Sequence, residues 1–88
     1  MRGLLGRSEL RATEGILLRP ASSIHTVGMK FAIDVVFLDR DLRVIRVAPE
    51  VPPWRAASCR RARVVLELAA GAAADSGIVP GDRLTVSV

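Results

Sequence analysis

Few side chains in this sequence could do chemistry, and their scarcity limits what chemistry is open to it. There is one His, His25, and one Cys, Cys59. A zinc finger, a disulfide scaffold and any site built on two histidines are thereby excluded. The expected cofactor and metal content is none. His25 with Cys59 is the minimum for a nucleophilic pair, and Arg60 and Arg61 beside the thiol would lower its pKa. Cys59 also follows a proline-rich stretch and needs no partner, so a passive thiol is the leading reading.

Asp34 is the sharpest anomaly, because it interrupts the apolar run Ile33–Leu38. A carboxylate in such surroundings is costly unless it is hydrogen-bonded or paired. The expected solution is that it accepts backbone N–H groups or an arginine from the chain start, Arg2 or Arg7. The alternative is a polar floor to a ligand pocket. Glu67 poses the same problem more mildly and is expected on a solvated face opposite Arg63 or Arg83. Asp34 and Glu67 together would make an acid–base pair of carboxylates, but nothing places them on one face.

His25, Thr26 and Met29 belong to a small polar stretch that could line a pocket, with His25 titrating near neutrality. Trp54, beside Pro52, Pro53 and Arg55, is either a lid over the core or an exposed contact anchor. The Gly77–Asp82 run lacks the Lys-Ser/Thr of a phosphate loop, so it reads as a turn in which Asp82 caps backbone N–H groups.

The elements that must position these residues are mostly strands. Residues 2–10 suggest a turn or two of helix, broken by Gly3 and Gly6. Residues 15–19 form a short apolar strand closed by Pro20, and residues 21–26 a loop carrying His25. Ile33–Leu38 is apolar at both parities except Asp34, as in a strand covered on both faces. Residues 39–42 turn the chain, and residues 43–47 return as its partner. Pro49, Pro52 and Pro53 forbid regular structure through Trp54. In residues 63–68, Val64, Leu66 and Leu68 share one face, Val65 and Glu67 the other. Residues 69–76 make a short helix capped at Gly77, and residues 83–88 alternate as a last strand with Leu84, Val86 and Val88 inward. The expected fold is mainly β, a small barrel- or sandwich-like antiparallel sheet with one or two short helices, residues 1–88 forming a single domain.

Composition agrees: half the chain is hydrophobic and 25% charged, as in a folded domain rather than a disordered one. The net charge of +4 invites nucleic acid, but twelve of the thirteen basic residues are Arg, a pattern of GC-rich coding. Only Phe31, Phe37 and Trp54 could stack on bases, and both phenylalanines have apolar sequence neighbours. Nucleic acid is therefore an unlikely partner, with Arg60, Arg61 and Arg63 as its only dense contact. No apolar run is long enough for a secretory signal or a membrane span, so a cytoplasmic location is expected.

Residues 23–39, Ser-Ile-His-Thr-Val-Gly-Met-Lys-Phe-Ala-Ile-Asp-Val-Val-Phe-Leu-Asp, resemble the central signature of the bacterial and archaeal domain-of-unknown-function family 192. Residues 65–71, Val-Leu-Glu-Leu-Ala-Ala-Gly, are similar to its second motif. Residues 77–84, Gly-Ile-Val-Pro-Gly-Asp-Arg-Leu, are similar to its closing one. Arg2–Arg7 resembles its opening helix. The resemblance implies a compact mainly β domain, no assigned catalytic residues and, since the family tolerates an aromatic at the position of His25, a flat His25 ring packed over the mouth of the fold. Family members often begin with a further strand, and several carry export signals; this chain shows neither, so the family comparison suggests that it begins late. The family hairpin usually carries Gly where this chain has Leu42, which at positive φ would cost about 1–2 kcal/mol.

The expected function is a small non-catalytic accessory module binding a small ligand or a protein. Its mouth would be formed by residues 23–29 and the loop 49–54. His25, Thr26, Met29, Asp34 and Trp54 are the ligand-binding candidates, with Glu67 and Asp82 structural. The alternatives are a small enzyme using His25 and Asp34 with Cys59, or a weak basic nucleic-acid binder. The expected state is a monomer or a dimer paired edge to edge through residues 84–88.

Overall fold

The computed structural model describes residues 15–85. Its centre is the apolar run that the sequence marks most clearly. Ile33–Leu38 forms a strand, β3, buried at every position, because a neighbouring strand lies along each edge and packing covers each face. With β1 (Gly15–Leu18), β4 (Val44–Val51) and β6 (Val64–Ala69), it makes an antiparallel sheet of order β1-β6-β3-β4. A two-stranded ribbon, β2 (Ser23–His25) with β5 (Ala56–Ser58), forms the second sheet. The only helix among the described residues is α1, Ala72–Asp75. The fold is mainly β and sandwich-like, and among the described residues the larger sheet does not close into a barrel.

Alternation along β3 and β6 divides the core in two. Val36, Leu38, Val64, Leu66 and Leu68 face α1 and Ile78. Ile33, Val35, Phe37 and Val65 face the ribbon through Ile24 and Ala57. At about 25 cal/mol per Å² of apolar area removed from water, these two faces are the main source of stability in so short a chain.

Several elements differ from their sequence signature. Residues 21–26 are not all loop, since Ser23–His25 pairs with β5. Pro49 does not end β4: the strand runs on to Val51 through an irregularity where the register steps from Val35↔Ala48 to Ile33↔Val51. Proline has no N–H to lose at such a position, and Glu50 takes φ 50° to complete the step. Ala69 belongs to β6 rather than to the helix. The helix ends in a Schellman motif, with Gly77 N–H donating to the Ala74 carbonyl and Ile78 N–H to that of Ala73. Residues 83–85 contribute an isolated bridge, Arg43↔Arg83, rather than a strand. The opening helix over residues 2–10 and the end of the terminal strand lie outside the described residues. Leu42 does adopt φ 66°, the conformation that the family's glycine suits.

Candidate functional site

Two polar side chains with no exposed surface, Asp34 and Thr26, organise the loops around the two sheets. Asp34 lies on the helix side of β3, opposite Leu68. Its Oδ1 accepts the Glu50 N–H at 2.8 Å and the Gly71 N–H at 3.2 Å, and Oδ2 accepts the Ala73 N–H at 2.8 Å. The carboxylate thus answers the donor freed by the β4 irregularity and two donors at the start of α1, where Gly71 brings no capping side chain of its own. Backbone donors therefore compensate its burial among the described residues, while Arg2 and Arg7, the expected arginine partners, lie outside them.

Thr26 performs a similar task at the end of the ribbon. Its N–H donates to the Arg55 carbonyl at 2.7 Å, and its own carbonyl accepts from Met29 at 3.1 Å and Trp54 at 3.0 Å. The hydroxyl donates to the Pro52 carbonyl at 2.7 Å and accepts the Arg55 N–H at 2.8 Å. Loop 26–32 and loop 52–55 are therefore clipped to one residue.

That clip presents apolar side chains outward. Val27 is 54% exposed, Phe31 63% and Trp54 64%. Trp54 is held at φ 65°, a conformation that a bulky side chain rarely adopts. Met29 turns inward and packs beneath, against the cluster that contains Phe37. His25 is exposed beside these loops, its Nδ1 3.4 Å from the Val27 N–H. Phe31 corrects its sequence reading: apolar neighbours in the chain do not bury it. Phe37, with no exposed surface, is the phenylalanine of the core.

The catalytic combinations are not brought together. Asp34 faces α1, while His25 stands on the ribbon that covers the other face of the large sheet. Cys59 donates its N–H to the Ser22 carbonyl, three positions along β2 from His25, or about 10 Å at strand spacing. Asp34 and Glu67 occupy opposite faces, since Asp34 pairs with Leu68 and Glu67 with Val35. Glu67's strand neighbours are Ile16 and Val35, not Arg63 or Arg83. Partial burial between them pushes its carboxyl above the ordinary 4.5. Asp39 moves the other way: the Arg43 and Asp41 N–H groups, with the Arg43 and Arg83 charges, hold it below 3.8 despite some desolvation. Asp82 accepts the Val79 N–H and closes its turn. Among the described residues no three His, Cys, Asp or Glu are grouped as a metal site. None of their helices is long and apolar enough to cross a membrane.

Beside Arg63 lies an open depression of about 490 Å³, lined by Pro20, Ala21, Ser22, Ser23, Ala62 and Arg63. It sits at the opposite end of the ribbon from Trp54, because Ser23 pairs with Ser58 and His25 with Ala56.

The order and spacing of these elements coincide with a known family. The profile of the uncharacterised ACR family, domain of unknown function 192, matches residues 1–86. The chain belongs to this family. No curated protein matches it. Among solved structures it is similar to a protein of unknown function from Novosphingobium aromaticivorans, at 30% identity and TM-score 0.71 over 94% of this chain. It also resembles a provisionally assigned transcription regulator from Sinorhizobium meliloti, at 24% identity and TM-score 0.77 over 96% of this chain. The chain spans 64% of the first protein's length and 70% of the second's. The second likeness is one of fold. Family membership leaves the biochemical role unassigned, so the candidate site rests on this chain's own geometry.

Proposed function

We propose that this family member is a small non-catalytic binding module whose contact surface is the end of the ribbon, between residues 23–29 and 49–54. Its centre is Trp54, with Val27 and Phe31 on the loop that Thr26 ties to it and His25 on the rim. Thr26 and Met29 hold the surface from behind, and Asp34 fixes the β4 step that leads into the Trp54 loop. One observation carries the reading: large apolar side chains stand outward on two loops that a buried hydroxyl ties together. An indole that is mostly exposed recovers little burial energy for its strained backbone, and strain kept without packing in return points to a contact made elsewhere.

The sequence holds a single Trp, so its indole N–H gives one resonance and reports this site alone. In ¹⁵N-labelled protein, we expect that resonance and the Val27–Phe31 amides to shift when cell extract is added in fractions of protein, nucleic acid and small molecules. The β6 amides should stay still. An indole signal that no fraction moves overturns the reading.

A further inference from the structure

We infer that the outer face of the β2–β5 ribbon is a track for single-stranded nucleic acid, with Trp54 and Phe31 as stacking platforms. The inference rests on the binding-surface reading above and names its ligand class. The charge pattern begins the argument. Residues 19–33 and 51–66, which build the ribbon and its loops, contain Arg19, Lys30, Arg55, Arg60, Arg61 and Arg63 and not one Asp or Glu. Asp34, Glu50 and Glu67 border these two segments, and of the three only Glu50, at the start of the 49–54 loop, is exposed. A net charge of +4 does not show this local excess, because Arg40, Arg43 and Arg83 lie in sequence among the acids Asp39, Asp41 and Asp82 while the six cations of the ribbon segments have no acid within those segments.

All six of these cations are exposed. The arginine hydrogen bonds described here run to backbone carbonyls, Arg55 to Trp54 and Arg63 to Ala62 among them. Such bonds orient a guanidinium without cancelling its charge, and each leaves further donors for phosphate oxygens. Arg60 and Arg61 occupy the turn closed by the Ala62 N–H and the Cys59 carbonyl. That turn adjoins the Ser22–Ser23 depression, where hydroxyls and Arg63 line an open floor. From there the ribbon leads about 10 Å to Arg55, Lys30 and the two exposed rings.

Charge at one end, rings at the other and an acid-free path between them suit a flexible polyanion that carries aromatic faces. Single-stranded nucleic acid has that chemistry: phosphates meet the cations, and bases stack on Trp54 and Phe31 without sequence preference. An acidic peptide would use the cations but has no planar group for each ring. The track is also too short and exposed to read base edges in a duplex groove.

The test uses the full chain, Trp54 emission and an oligothymidylate of about fifteen nucleotides, with polyglutamate as a base-free polyanion. The expected result is quenching by the oligonucleotide at about 50 mM salt that weakens steeply by about 200 mM. Polarization of a labelled oligonucleotide follows the variants. Trp54→Gly should bind about ten- to a hundredfold more weakly, and Trp54→Phe, which keeps a ring, within a few-fold of wild type. Joint Arg60→Ala and Arg61→Ala replacement should lower the salt slope by about 1.4, at about 0.7 per phosphate of a single strand. These positions are exposed, so β6 amide shifts confirm that each variant folds. Absence of oligonucleotide binding at low salt overturns the inference, as does binding that Trp54→Gly leaves unchanged. Polyglutamate binding in place of oligonucleotide binding overturns the ligand class and leaves the surface standing. If neither probe binds and no extract fraction moves the Trp54 indole, both readings fail.

Discussion

The helix side of the large sheet and the open end of the ribbon use the same device to opposite ends. Each is organised around one buried polar side chain that ties backbone groups distant in sequence. Around Asp34 the result is closure: Leu38, Leu66, Leu68 and Ile78 turn inward and the carboxylate is sealed beneath α1. Around Thr26 the result is display: Val27, Phe31 and Trp54 turn outward on loops that cannot drift apart. Exposed apolar groups on slack loops could collapse onto the surface, whereas a clipped pair of loops keeps them available. The contrast shows that a buried hydrogen-bond hub need not serve a core.

Breaking the two hubs separately tests whether the contrast is real. Asp34→Ala orphans the buried Ala73 donor and the part-buried Glu50 and Gly71 donors, at up to about 1–3 kcal/mol each, so stability should fall by about 3 kcal/mol or more in urea denaturation. That is a large part of what a small domain has. Thr26→Val keeps the shape and loses the hydroxyl bonds, for which about 1–3 kcal/mol is expected. Hydrogen exchange should then show faster opening of the ribbon loops while β3 and β6 stay protected. Equal losses at both positions, or uniform exchange after Thr26→Val, would merge the two regions into one cooperative unit.

Glu67→Gln sharpens the comparison through pH. Glu67's folded pKa lies above 4.5. Its favourable contribution is therefore complete below 4.5 and is lost as pH rises through the folded value. Thermal unfolding should find the variant more stable than wild type at pH 7 and indistinguishable near pH 4. Asp39, held below 3.8, has the opposite sign: it contributes above 3.8 and loses that contribution as pH falls through its folded value. Asp39→Asn should thus cost stability at neutral pH, and that cost should shrink as pH falls below 3.8. Smallest of all, Trp54→Gly should change stability by no more than about 1 kcal/mol, since relief at positive φ offsets added chain entropy. A loss of 3 kcal/mol or more there would make Trp54 a core residue and remove the contrast.

Much of the fold could be read from residue order, and the exceptions have physical causes. β3, β6 and the facing of Val64, Leu66 and Leu68 followed from apolar periodicity, because burial on a defined face leaves that imprint. β2 and β5 left none: Ser-Ile-His and Ala-Ala-Ser are too short and too small to alternate visibly. β4 was cut at Pro49 because the rule against proline in strands carries no information about an irregularity that accommodates it. Asp34 and Trp54 stood out as a charge in an apolar run and an aromatic among prolines. Phe31 did not, since its sequence neighbours resemble core and only the Thr26 clip sends it outward. The acid-free ribbon was also hidden, because its cations come from two segments that meet only after folding.

The strand order β1-β6-β3-β4 has a kinetic side. β3 and β4 adjoin across a tight turn, whereas Gly15 must find Leu68, more than fifty residues away. Closing so long a loop carries an entropy penalty that local hairpins avoid, so assembly should begin with β3–β4 and admit β1 late. On a ribosome, β1 emerges first of the described strands, and the strand it pairs with, β6, is made last of them. Gly15 then fits against the Glu67 carbonyl where a Cβ would collide with it, so the earliest made of the described strands must dock late and into a place with no room for a side chain.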